Sequence, residues 1–291
     1  MIPRFALARP ASLSEAFEAH ARASGDAAWV AGGTELLQVM KMGFAQFGTL
    51  VDLKRIPELH GIAADADGAL VIGAATTHRE IERSPLVAER IPGLARLAAR
   101  VANVRVRNTG TLGGNLAFAE PHSDPATFLL ACGATVRLAG PRGERELGLG
   151  EFVLGPLDTA READEIVVSV RIPPAAAGEG RAYDKIAFFE RPAASVAVRI
   201  TVGDGQIHAA SVAVGSVTEV PLLVEAAAAG LVGTEATDKA LEERLAGTGD
   251  AFATLDAVAD LNGSVDYKRH LATVLFGRAA RVALGEAVAH A

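Results

Sequence analysis

The stretch RVRNTGTLGGNLAFAEPHSDP, Arg105 to Pro125, decides how this chain is read. Gly110, Gly113 and Gly114 fall within five positions, flanked by Thr109, Thr111, Asn115 and, farther on, Asp124. Glycine tolerates positive φ and lets a ligand or another segment approach the backbone, at an entropic cost on folding. Such a cluster in a well-patterned region is either a demanding turn or a binding loop. The hydrogen-bonding residues at 109, 111 and 115 weight the Gly113–Gly114 pair toward binding. Far upstream lies a second glycine turn, Ala31-Gly32-Gly33-Thr34. A short buried strand (27–31) leads into it, and a helix from Glu35 to Lys41 leaves it, with Thr34 as N-cap and Gly43 as stop. Free N–H groups at a helix start bind an anion well. The same residues read equally as a tight strand-to-helix turn.

Working outward, Ser12 or Ser14 caps a helix ending near Gly25, Thr49–Leu53 and Ala69–Ala75 are strands, and Thr76-Thr77-His78 caps a helix over 79–83. Pro92–Val101 is helical. Asp124 before Pro125 has the form of an N-cap followed by proline at the first helical position, opening a helix over 126–132 that Gly133 stops. Residues 134–139 and 145–149 pair across a turn, and Glu165–Ile172 alternates as a strand. PPAAAGEG (173–180) has linker composition. Beyond it, 195–202 and 206–214 flank the Asp204-Gly205 turn as a hairpin, with Tyr183–Phe188 as a third strand. The remainder reads as helices over 221–231, 234–245, 251–261 and 264–284. The architecture is α+β.

Composition excludes several functions. Lys plus Arg number 28 against 35 for Asp plus Glu, a formal net charge of −7, so the footprint of a nucleic-acid or anionic-membrane binder is missing. Cys132 is the sole cysteine, which rules out an internal disulfide and a cysteine-ligated zinc or iron–sulfur site within these residues. The seven histidines show no metal-ligand spacing, so no metal site is expected. No run of about 18 apolar residues occurs, and the N-terminal residues lack a signal-peptide apolar region, which reads as a cytoplasmic protein without a membrane span. Neither glycine cluster continues into Gly-Lys-Ser/Thr, and GxGxxG and GxSxG are missing. Lys185 reads as a surface lysine, His78 and His122 as capping or solvated residues, and Arg105 and Arg107 as a solvated edge or as groups facing a phosphate.

The paired motifs AGGTELL (31–37) and VRNTGTLGGNLAFAEPHSD (106–124) resemble the FAD-binding medium subunit of molybdenum hydroxylases, the family of the carbon monoxide dehydrogenase medium subunit and the xanthine dehydrogenase flavin segment. LVDLKRIPEL (50–59), DEIVVSVRIP (164–173), YDKIAFFERPAASVAV (183–198) and GQIHAASVAVGSV (205–217) extend the resemblance over nearly the whole chain. It implies a two-part FAD-binding region of the PCMH type (1–55 and 56–175), then a C-terminal α+β domain (181–291) in which a small antiparallel sheet is packed by helices.

The resemblance also implies the site. Ala31, Gly32, Gly33, Thr34 and Glu35 would hold the flavin pyrophosphate through backbone N–H groups, with Val30 and Leu36 beside them as cofactor-binding residues. Gly110, Thr111, Gly113, Gly114 and Asn115 would form the second loop, with Thr111 on a phosphate or the ribityl chain. Asp124 would accept from the flavin polyol. Lys185 would stand near the isoalloxazine, where a cation favours the anionic reduced form. No catalytic residue or metal ligand is implied. The implied partners are a small iron–sulfur subunit and a large molybdopterin subunit, in a dimer of heterotrimers, with electrons leaving to an external acceptor. A stand-alone FAD oxidase or reductase, and a scaffold without flavin, are the competing readings. FFERPA (188–193) departs from the Ser/Arg-rich stretch of many relatives.

Overall fold

The computed structural model describes residues 2–188, 191–248 and 250–291; Phe189 and Glu190, inside FFERPA, lie outside them. Three sheets carry the fold. The first is a parallel three-stranded sheet of β1 (Ala6–Ala8), β2 (Ala27–Val30) and β3 (Thr49–Asp52), with β3 central. Parallel strands need crossovers, and the helix Leu13–Arg22 makes the first. Ser12 caps it by accepting from the Glu15 amide. The second crossover is the glycine turn and the helix Leu36–Met42, which Gly43 closes in the left-handed conformation.

The second sheet contains β4 (Ile62–Ala64), β5 (Leu70–Gly73), β6 (Thr135–Gly140) and β7 (Gly143–Gly148). A small hairpin follows, β8 (Val153–Gly155) and β9 (Asp158–Thr159), and then β10 (Ile166–Ile172), which enters the second sheet between β5 and β6. β10 is buried along nearly its whole length, as suits a central strand that is apolar except at Ser169 and Arg171. The helices Pro92–Ala99 and Asp124–Ala131 cover this sheet, and Leu94, Leu97, Phe128 and Leu129 join Ile72, Val136 and Val170 in one core.

The third sheet is β11 (Glu179–Ala187), β12 (Pro192–Gly203), β13 (Gln206–Gly215) and β14 (Leu222–Leu223), paired antiparallel in chain order. The long helix Val265–Ala289 lies over β11 and β12, and its buried alanines allow close approach. Each buried Leu or Ile in such a core contributes about 1.5–3 kcal/mol relative to exposure.

Four local expectations need correction. The helix expected over 251–261 is only Asp250–Ala253, because tertiary bonds claim the backbone beyond it: Arg269 donates to the Leu255 carbonyl, and the Val258 amide donates to Val217. The helix expected from Pro221 begins at Glu225, since Leu222–Leu223 pair with β13. Thr34 does not cap the second helix; Glu35 holds that place without a side-chain bond. Asp124 is inside its helix, with Ser123 at the cap position. The opening stretch forms two short helices, Val104–Thr109 and Leu112–Phe118, joined at Gly110.

Candidate functional site

The first glycine turn leaves β2 at Val30, the second begins at Gly110, and the two touch. A Cβ added to Gly32 would overlap the Thr109 carbonyl oxygen and lie 2.8 Å from the Gly110 Cα. Only glycine permits that approach. Gly33 has φ +70°, which a residue with a side chain rarely adopts. Thr34 lies across from Gly110, near where a Cβ there would stand.

The second loop is held from behind. Gly113 packs on Ala74, with its amide donating to the Ala74 carbonyl at 2.9 Å, and the Leu112 amide reaches the Thr76 carbonyl at 3.0 Å. Thr111 Oγ1 accepts from the Gly114 amide at 3.1 Å and so caps the helix Leu112–Phe118. Gly114 itself is exposed, Asn115 half-buried, and Asn115 Oδ1 accepts from Ser123 Oγ at 2.6 Å.

These segments line one large cavity of about 1020 Å³. Val30 to Leu36, Gly110, Thr111, Gly113, Gly114, Asn115 and Asp124 are all in its wall. Lys185 is not: it stands behind Asp124, with Nζ 2.6 Å from Asp124 Oδ2 and 2.9 Å from the Arg100 carbonyl. Its side chain is 7% exposed, so it is no surface lysine. Tyr183 donates to the other Asp124 oxygen at 2.5 Å. Tyr183 and Lys185 are two apart on β11 and so face the same way, the one sequence signal that could have added Tyr183 to the site. Burial pushes the Asp124 carboxyl above its usual range, opposed by the Lys185 ammonium, and burial raises the Tyr183 phenol well above 10.

Other cavity residues carry no local sequence signal. Trp29 stacks on His20 with ring centroids 4.3 Å apart, and its indole N–H donates to the Ala163 carbonyl at 3.0 Å. His78 is buried, which with the nearby Arg107 guanidinium lowers its pKa to about 4 and keeps it neutral. Arg107 is committed to Glu82 and to the Val101 and Ala102 carbonyls, whereas Arg105 is exposed. His122, Glu120 and Arg191 form an ion-pair group at the cavity wall. Cys132 is fully buried away from the cavity, and burial pushes its thiol up to about 11.

The wall fits a large anionic dinucleotide. Among the described residues no acceptor takes the backbone N–H groups of Gly32, Gly33, Thr34 or Glu35. Four unpaired amides in one turn whose residues line the cavity suit a pyrophosphate. By contrast, the second loop's amides at 112–115 are consumed within the protein, so that loop can offer hydroxyl, amide side chain and shape rather than an amide cradle.

The model of the FAD binding domain in molybdopterin dehydrogenase matches residues 3–175, and that of the CO dehydrogenase flavoprotein C-terminal domain matches 190–283. The chain is 35% identical to the carbon monoxide dehydrogenase medium chain of Hydrogenophaga pseudoflava, over 97% of each. It is 31% identical to the nicotine 6-hydroxylase medium subunit of Paenarthrobacter nicotinovorans, over 95% of this chain and 96% of the other. In structure it superposes on a chain of the carbon monoxide dehydrogenase of Hydrogenophaga pseudoflava with TM-score 0.91 at 36% identity, covering 98% and 99% of the two chains. A chain of quinoline 2-oxidoreductase from Pseudomonas putida 86 gives 0.92 at 32% identity, covering 99% of both. The chain belongs to the family of FAD-binding domains in molybdopterin dehydrogenases. It is an oxidoreductase component, and its cofactor is FAD.

Proposed function

We propose that this protein is the flavoprotein medium subunit of a molybdenum hydroxylase, taking electrons from an iron–sulfur subunit and passing them to an external acceptor. The observation that carries the reading is end-to-end similarity to medium chains, over 97% of both sequences in the case of the carbon monoxide dehydrogenase medium chain. A single cysteine cannot ligate iron–sulfur clusters, so cluster and molybdopterin chemistry fall to other chains. The relatives are named for substrates from carbon monoxide to nicotine and caffeine, so the oxidised substrate is set outside this subunit.

FAD, when bound, supplies the redox chemistry. The protein's part is to hold and orient it. The Gly32–Glu35 amides grip the pyrophosphate, Thr111 and Asn115 supply side-chain contacts, and Asp124 accepts from the polyol. Asp124 enters this role pre-oriented, because Tyr183 and Lys185 fix both of its oxygens. Lys185 thereby acts through Asp124, and its charge is largely spent there. Sheets confined to residues 6–52, 62–172 and 179–223 support division into units 1–55, 56–175 and 181–291. On this reading the subunit works in a cytoplasmic complex, built as a dimer of heterotrimers; among the described residues no helix is long and apolar enough to cross a membrane.

The test is expression of the chain with and without the neighbouring reading frames. The expected result is a yellow protein that releases FAD on denaturation and co-purifies with a cysteine-rich small chain and a large chain. Reduction by the complex's substrate should need all three. Turnover of a substrate by the isolated chain would instead establish a self-sufficient oxidase or reductase.

A further inference from the structure

Two motif-bearing loops of the cavity are tied to each other and to the C-terminal helices by one chain of charged groups. Arg191, at the start of the third sheet's second strand, reaches Glu120 Oε1 at 2.8 Å and Glu35 Oε2 at 3.5 Å. Glu35 belongs to the first glycine turn, and Glu120 follows the second loop. Glu120 also accepts from the His122 amide and from His122 Nδ1, both at 2.9 Å. The far side of the ring, Nε2, lies 2.7 Å from Asp260 Oδ2. Asp260 is held by Lys268 Nζ at 2.6 Å and by the Asn262 amide at 2.7 Å, and Lys268, almost fully buried, also reaches the Ser216 carbonyl at 2.9 Å.

An imidazole with a carboxylate at each nitrogen satisfies both only as imidazolium, since neutral histidine has one N–H. The local charge agrees. Glu35, Glu120 and Asp260 oppose Arg191 and Lys268, leaving one negative charge that a protonated His122 balances. Without that proton, one ring nitrogen faces a carboxylate lone pair to lone pair.

We propose that His122 is a positioning residue for the cofactor: its imidazolium clamps the Glu120–Asp124 limb of the cavity to Asp260 and Lys268, and FAD is gripped tightly only while the clamp is closed. This rests on the FAD reading of the cavity. The hydrogen bonds that His122 donates to Glu120 and Asp260 hold its pKa above the usual 6.5 despite partial burial. Against its burial, the Lys268 ammonium and then His122 bring Asp260 down to about 2, and His122 with Arg191 lowers Glu120 despite burial. The clamp therefore stays closed to higher pH than a free imidazole would allow, and it opens as pH rises through that raised pKa. Asp124, the polyol acceptor of the proposal above, sits two residues beyond His122, so release of this limb loosens the ligand directly.

The experiment is a titration of FAD into flavin-stripped full-length protein from pH 6 to 9, followed by flavin fluorescence, for wild type, His122→Gln and Asp260→Asn. Wild-type affinity should fall by about tenfold across the range, the linkage expected when binding raises the His122 pKa by roughly one unit. His122→Gln should bind weakly with a flat profile. Asp260→Asn should keep the profile but shift it to lower pH, because one carboxylate no longer favours the imidazolium. A proton NMR titration of His122 in flavin-stripped wild type should give a pKa above 6.5. A flat wild-type profile, or His122→Gln retaining the wild-type profile, would overturn the clamp while leaving FAD as cofactor. Failure to bind FAD at every pH would overturn the cofactor reading itself, and the clamp with it.

Discussion

Gly32 and Thr109 are in contact across the two glycine loops: the Thr109 carbonyl oxygen occupies the space that a Cβ on Gly32 would need. The cofactor cavity is built on this contact, because it seats the first glycine turn against the second. Gly32→Ala should push the loops apart and misaim the amides of the turn. We expect a stability loss of about 1–3 kcal/mol from overpacking. FAD affinity should fall by about tenfold or more, equivalent to ~1.4 kcal/mol per decade. Gly285→Ala, where a Cβ meets nothing within 4 Å inside the long C-terminal helix, is the control. Flavin retained per chain and the urea midpoint measure both. An alanine at 32 that keeps full flavin would remove the contact from the account.

Lys185→Met should destabilise through Asp124. The pair is buried on both sides, 7% and 5% exposed, so removing the ammonium strands a carboxylate. Breaking such a pair from one side costs roughly 3–5 kcal/mol, whereas replacing both members is far milder. The double variant Lys185→Met/Asp124→Asn should therefore be more stable than the single one in denaturant unfolding. If the single variant matches wild type, the pair contributes nothing.

The neutral, buried His78 gives an acid dependence with a definite sign. Its folded pKa of about 4 lies below the ordinary 6.5, so the unfolded chain takes up the proton first. The stabilisation is complete above pH 6.5 and is lost as pH falls toward 4, by roughly 3 kcal/mol over that window. Unfolding free energies at pH 7, 5.5 and 4.5 should show a shallower slope in His78→Gln than in wild type. Equal slopes would mean that His78 titrates normally.

Ala119 sits at the exit of the helix Leu112–Phe118 with φ +48° and ψ +45°, and its carbonyl accepts from the Leu157 amide at 2.9 Å. Leu157 is itself left-handed, at φ +60°. A left-handed residue with a Cβ costs about 1–2 kcal/mol. Ala119→Gly should relieve that strain and, after glycine's greater folding entropy is deducted, stabilise the protein by about 0.5–1 kcal/mol. A lowered thermal midpoint would show that Ala119 packing outweighs the strain.

The sequence by itself determined the α+β order of elements, the glycine turns at Gly32-Gly33 and Gly113-Gly114, and the family. These features are local: a turn that needs positive φ, a hairpin at Asp204-Gly205 and a strand pattern such as Ile166–Ile172 are written in adjacent residues. Cavity residues 30–36, 110, 111 and 113–115 were legible because these local glycine motifs carry the family resemblance. Only the tertiary structure decided what each polar group faces. It moved Lys185 from the cavity to the back of Asp124, took the Gly113 and Gly114 amides out of ligand binding, and ended a helix at Ala253 because Arg269 claims the Leu255 carbonyl. It also brought Asp260 to His122, across 138 residues of sequence. Backbone conformation responds to neighbours in the chain, whereas burial, ion pairing and protonation respond to neighbours in space, which no local pattern encodes.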